Sequence, residues 1–136
     1  MTHRSQPGLD PDRRAFHVFQ MREVDGGSID AAIAGAGDKL VCVFFWGPDC
    51  VNCEIAKNAM LADPQPVRLL DLHWLQANVY QDEELGRRFG LHGIPVFMFF
   101  HRGKKLGRAT GWHGIGQFAG AVANARLKAS GKPLAG

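Results

Sequence analysis

Apolar residues fall along this chain in short blocks whose spacing switches between strand-like and helical. Leu40 to Trp46 (LVCVFFW) is a continuous β-prone run, the mark of a central strand covered on both faces. Phe16 to Val24 (FHVFQMREV) is apolar enough for a first strand, and His73 to Val79 and Val96 to Phe100 read as two more. Arg102-Gly103 predicts a hairpin turn, with Lys105 to Thr110 as the returning strand. Between the strands the spacing turns helical. Ser28 can cap a short helix with Ile29 and Ile33 on one face, ended by Gly35 and Gly37. Gly47-Pro48-Asp49 breaks the central run, and a helix follows from about Val51 with Ile55, Ala59 and Met60 expected inward. Asp63-Pro64-Gln65-Pro66 interrupts it, with a further turn expected over Val67 to Leu70. Asp82 caps a helix with Glu83 and Glu84 in its first turn and Arg87 and Arg88 in its last, the order the helix dipole favours. Ile115, Phe118, Ala119 and Val122 start a final helix running to about Ala129.

The predicted order is β-α-β-α-β-α-β-β-α. Early alternation implies parallel strands joined by helical crossovers, and the late hairpin adds antiparallel pairing. The fold class is therefore α/β: a mixed central β-sheet, parallel βαβ plus a C-terminal antiparallel hairpin, flanked by helices on both faces. The expected organisation is a flexible polar arm over 1–15, one domain over 16–130 and a short tail over 131–136.

Composition adds exclusions. With 136 residues, 46% hydrophobic and 21% charged, the chain fits one core-burying domain. Its net charge of +3 comes from scattered Lys and Arg with no aromatic-laced basic stripe, which argues against nucleic acid as a partner. No stretch approaches the ~20 apolar residues that span a bilayer, so no membrane partner is expected. The first fifteen residues lack the apolar centre of a secretory signal. From this, and from three cysteines (an odd number, unlike a structural disulfide framework), a reducing, cytoplasmic location is expected.

The candidate chemistry is Cys50-Val51-Asn52-Cys53, placed where a buried strand hands over to a helix. Free N–H groups and the positive dipole end of a first helical turn stabilise a thiolate there. Cysteines three apart on a turn can pair, the first exposed as a nucleophile and the second sheltered as a resolver. Two other readings are open at this point. The motif could be half a zinc site, although four ligands are normally needed and only Cys42 remains, with no His-x3-His downstream. It could also be two core cysteines. Cys42, on the apolar run, is most simply a small core residue.

FFWGPDCVNC, followed by RRFGLHGIPVFMFFHRGKKLGRATGW, resembles the thioredoxin family across about residues 16–129. The resemblance implies the thioredoxin fold and a protein-disulfide reductase working by dithiol–disulfide exchange. Cys50 would attack and Cys53 resolve. Trp46, Asp49, Ile94, Pro95, Gly111 and Trp112 would form the substrate site, with Pro95 cis, Ile94 offering backbone hydrogen bonds, Trp46 packed under the active-site loop and Gly111 admitting the partner. The implied partners are disulfide-containing proteins and a thioredoxin reductase or equivalent electron donor, in electron transport serving cell redox homeostasis. No cofactor is implied beyond the Cys50–Cys53 redox pair, and the chain is expected to be a monomer.

Several positions depart from the family. Val51-Asn52 replaces the usual Gly-Pro, and Asp49 replaces the usual tryptophan before the first cysteine, where a carboxylate opposes a thiolate unless it serves as a solvated helix cap. The family's buried acid and its lysine correspond to Phe44 and Gln76, so the pair is replaced as a unit and Cys53 is expected to rely on water or Glu54 as base. Trp112 follows Gly111 where a small residue is usual, and His92 precedes Gly93-Ile94-Pro95. A thioredoxin-fold binding or chaperone-like module with little turnover is the alternative function. An oxidase or isomerase would want an oxidising compartment.

Overall fold

The structure, a computed structural model, describes residues 11–131. Most of the arm expected over 1–15, and the tail beyond residue 131, lie outside the described residues. In chain order the elements are α1 (Pro11–Val18), β1 (Arg22–Glu23), α2 (Ile29–Ala34), β2 (Val41–Trp46), α3 (Val51–Ala62) and α4 (Pro64–Arg68). They continue as β3 (His73–Asn78), α5 (Glu83–Arg88), β4 (Val96–His101), β5 (Lys104–Thr110) and α6 (Ile115–Ala129). The strands form one sheet in the order β1-β3-β2-β4-β5. β1, β3 and β2 run parallel, while β4 pairs antiparallel with both β2 and β5.

Strand β2 occupies the centre because every one of its side chains is apolar and buried. Its alternation divides the core in two. Cys42, Phe44 and Trp46 point into a cluster with Phe97, Phe118, Cys53 and Met60, covered by α1, α3, α4 and α6. Val41, Val43 and Phe45 point the other way, to Leu75, Met98, Leu85 and Phe89 under α2 and α5. On the first face Phe44 stacks on Phe97 at 5.0 Å and Trp74 on Phe118 at 5.9 Å.

The structure corrects the first element. Residues expected as an arm and then a strand over Phe16 to Val24 form helix α1, followed by a strand of only two residues. Ala15 and Phe19 lie one helical turn apart and both are buried, a spacing that suits a helix as well as a strand block. Gln20, at φ 54, then turns the chain into β1.

The phase of α3 is a second correction. Cys53, Ala56, Lys57 and Met60 face inward, while Ile55 is exposed and Ala59 also points to solvent. Two expected caps are used differently. Ser28 and Asp82 sit at the N-cap positions of α2 and α5, but neither side chain caps its helix. Ser28 Oγ accepts from the Asp25 N–H, and Asp82 Oδ2 accepts from the Gly26 N–H at 2.8 Å, tying that loop to the start of α5. Instead, Arg108 on β5 donates to the Phe89 and Gly90 carbonyls at the other end of α5.

Candidate active site

The abrupt end of β2 builds the site. Gly47 and Pro48 carry the chain out of the sheet, Asp49 takes a left-handed conformation at φ 58, and α3 begins. Aspartate is among the few non-glycine residues that adopt that conformation readily. Cys50 is the N-cap of α3, and its Sγ accepts the Cys53 N–H at 3.1 Å. The sulfur thus occupies the place of a capping oxygen and neutralises one of the free donors of the first turn. Cys50 is half-buried and Cys53 fully buried. The two are joined as a disulfide with Cα atoms 5.2 Å apart. This brings together the exposed and the sheltered sulfur expected from the sequence.

The Ile94-Pro95 peptide bond is cis. It brings the Ile94 carbonyl oxygen to 3.8 Å from Cys50 Sγ. The Gly111 N–H, at φ 77, donates to the Pro95 carbonyl at 2.8 Å and holds the end of β5 against the cis turn. Two clefts flank this turn. One, of about 270 Å³, is lined by Trp112, Gly111, His113, Gln117 and Phe118. The other, of about 530 Å³, is lined by Tyr80, Ile94, His92, Leu91 and Arg87. Trp112 is partly buried, with its ring 5.3 Å from Phe118 and 5.9 Å from Phe97, and one side open to the first cleft. His92 is exposed on the rim of the second.

Trp46 lies beneath the site. It is 9% exposed, and its indole Nε1 donates to Gln76 Oε1 at 2.6 Å. Its polar edge is therefore spent inside the core. Phe44 and Gln76 sit opposite each other on β2 and β3, so an apolar ring and a neutral amide stand where the family's charged pair would be. Burial pushes the Cys42 thiol well up, leaving it protonated and inert. Among the described residues, no cluster of three or more His, Cys, Asp or Glu could hold a metal ion, and no helix is long and apolar enough to cross a membrane.

Two residues of the site escape a reading of the sequence. Tyr80, 58% exposed, lays its ring over the backbone of Gly47; a Cβ there would stand 2.7 Å from two ring carbons and 3.0 Å from Ile94 Cδ1. Lys57 is completely buried on the inner face of α3, although a helical lysine ordinarily reads as surface. The available signal for Lys57 was its spacing, one helical turn beyond Cys53.

The sheet order, the cysteine pair at a helix start and the facing cis proline define a thioredoxin-fold protein. No protein-family model matches the chain. Thioredoxin f from spinach chloroplast superposes with a TM-score of 0.63 at 24% identity, covering 78% of this chain and 93% of that one. Thioredoxin-like 1-1, chloroplastic, from Arabidopsis thaliana is 31% identical over 83 residues, which is 59% of this chain and 29% of the relative. Thioredoxin-like 1-3, chloroplastic, from the same plant is 31% identical over 71 residues, 51% of this chain and 24% of the relative. The chain thus spans less than a third of the length of these curated relatives. The chain has the thioredoxin fold, as the resemblance read from its motifs implied.

The expected cytoplasmic location is overturned by the same relatives, which are both chloroplastic. The expectation rested on a missing apolar signal, and that criterion is blind to plastid targeting: transit peptides are Ser- and Arg-rich and carry no such block.

Proposed function

We propose that this chain reduces protein disulfides by dithiol–disulfide exchange. The supporting observation is the half-exposed Cys50 sulfur at the first turn of α3, with the Cys53 N–H at 3.1 Å and the cis-turn carbonyl of Ile94 at 3.8 Å. In the reduced state the helix start favours a thiolate at Cys50. That thiolate attacks one sulfur of a substrate disulfide; the substrate S–S bond breaks and the far sulfur leaves as a thiolate. The Cys53 thiol then loses its proton and attacks Cys50 Sγ, forming the Cys50–Cys53 bond and releasing the second substrate thiolate. Two electrons pass from the cysteine pair to the substrate, and an electron donor such as a thioredoxin reductase restores the dithiol. No cofactor enters the scheme.

Ile94, Pro95, Gly111 and Trp112 form the floor and one wall on which an extended substrate segment lies, with Asp49 at the rim and Trp46 supporting from below. The protein acts as a monomer in electron transport that maintains redox homeostasis. Its test is insulin reduction coupled to a thioredoxin reductase. Turnover that disappears in Cys50→Ser, with a mixed disulfide accumulating on Cys50 in Cys53→Ser, is the expected result. A wild-type protein that binds insulin without reducing it would instead be a binding module.

A further inference from the structure

The charge buried nearest the cysteine pair in the packing of α3 is a cation. Lys57 is 0% exposed, with its Nζ 4.6 Å from the centre of the Trp46 ring and 5.7 Å from that of Phe16. Glu54 Oε2, on the same helix and 37% exposed, lies 3.1 Å from Nζ. Taking an ammonium out of water is costly even when it is paired, and an apolar residue of similar volume commonly serves stability as well. A lysine enclosed by two aromatic rings at this position therefore calls for a reason other than stability. Cys53 supplies one. It precedes Lys57 by four residues on α3, and both side chains are buried on the same face. Side chains so spaced on a helix are neighbours.

We propose that Lys57 is a positioning residue for the resolving step, its ammonium stabilising the thiolate that Cys53 must become before it can attack Cys50. This rests on the exchange mechanism proposed above. The Cys53 proton leaves to water, the new sulfur–sulfur bond forms with Cys50, and the substrate sulfur departs with the bonding pair. Glu54 opposes the effect only in part, because its carboxylate reaches solvent and is screened, whereas Lys57 shares the dry side of the helix with the sulfur. Nothing else packed here carries a competing buried charge among the described residues. Arg13, Arg14 and His17 on α1 are exposed, as is Arg68 on α4. Cys42 on β2 is held protonated by burial, and Gln76 on β3 is neutral.

The test titrates Cys53 by its ultraviolet thiolate absorbance in a Cys50→Ser background, which needs no substrate. Lys57→Met is expected to raise the midpoint by about one pH unit, roughly tenfold less thiolate at neutral pH, while Lys57→Arg stays near the parent. Glu54→Gln is expected to lower the midpoint, since it removes the opposing charge and keeps Lys57. Opposite shifts from the two members of one ion pair are not produced by a merely structural role. With both cysteines present, Lys57→Met should slow release from the mixed disulfide about tenfold and leave alkylation of Cys50 unchanged. Unchanged midpoints in Lys57→Met and Glu54→Gln overturn the proposal; should Lys57→Met not fold, an unmoved or raised midpoint in Glu54→Gln does so alone. Opposite shifts without insulin turnover would sink the exchange function and leave only the stabilisation of the Cys53 thiolate by Lys57 standing, and turnover without shifts would do the reverse.

Discussion

Gly47→Ala is expected to report on how tightly Tyr80 and the cis turn are fitted to the loop that presents Cys50. An added Cβ would meet Tyr80 Cδ2 and Cε2 at 2.7 Å and Ile94 Cδ1 at 3.0 Å, inside any tolerated carbon–carbon contact. Overpacking of this kind costs about 1–3 kcal/mol. Tyr80 is 58% exposed and can swing toward water, which places the cost near the lower end of that range. Alanine also restricts the unfolded chain relative to glycine, an offset of about 0.4–1 kcal/mol. The net expectation is a loss of about 0.5 kcal/mol, read as a slightly lower urea midpoint at unchanged slope. In a Tyr80→Ala background only the flexible tip of Ile94 remains to yield, and the same substitution should become neutral or slightly stabilising. A double-mutant cycle should therefore give a coupling of about 1 kcal/mol between positions 47 and 80. A coupling near zero would show that the Tyr80 ring does not rest on Gly47 in solution and would refute the reasoning.

Trp46→Phe and Gln76→Leu should each cost about 1–3 kcal/mol in denaturant titration, because each leaves the other partner of a buried hydrogen bond unmatched. The double variant should cost clearly less than the sum. His73 should make stability rise with pH. Burial, then Lys39 and Arg22, depress its pKa below the ordinary 6.5, so the unfolded chain binds more protons than the folded one in that range. Its contribution is present above pH 6.5 and lost as pH falls through the depressed folded value, and His73→Gln should flatten that part of the melting-temperature profile. Trp112→Ala should raise KM for a protein disulfide several-fold with little change in kcat; an unchanged KM would remove Trp112 from the substrate groove.

The central architecture was legible because β2 and β4 are apolar along nearly their whole length and α6 keeps helical spacing from Phe118 to Ala125. The cysteine pair and Pro95 were legible as motifs. The N-terminal segment was not, because FHVF satisfies either period and only its docking on α3 settles the matter. Ile55 missed its expected inward place, and Lys57 lies inward, for a related reason. Hydrophobicity ranks the isoleucine inward, but the helix phase is set by Cys53, which has to lie under the loop, and the positions one turn on follow it. The cage of Phe16 and Trp46 then receives the lysine ammonium, and no local pattern could announce a cage made from two distant elements. Tyr80 was invisible because its partner is a glycine backbone.

The sealing of Cys42 in the middle of the sheet limits what oxidation can do to this chain. Three thiols allow three different intramolecular pairings, and a shuttle that wandered among them would lose its reducing equivalents to dead-end isomers. With the third sulfur at 0% exposure inside β2 and kept in its protonated form, scrambling requires the sheet itself to open. The oxidised molecule is thereby confined to a single covalent form, the one that joins Cys50 to Cys53.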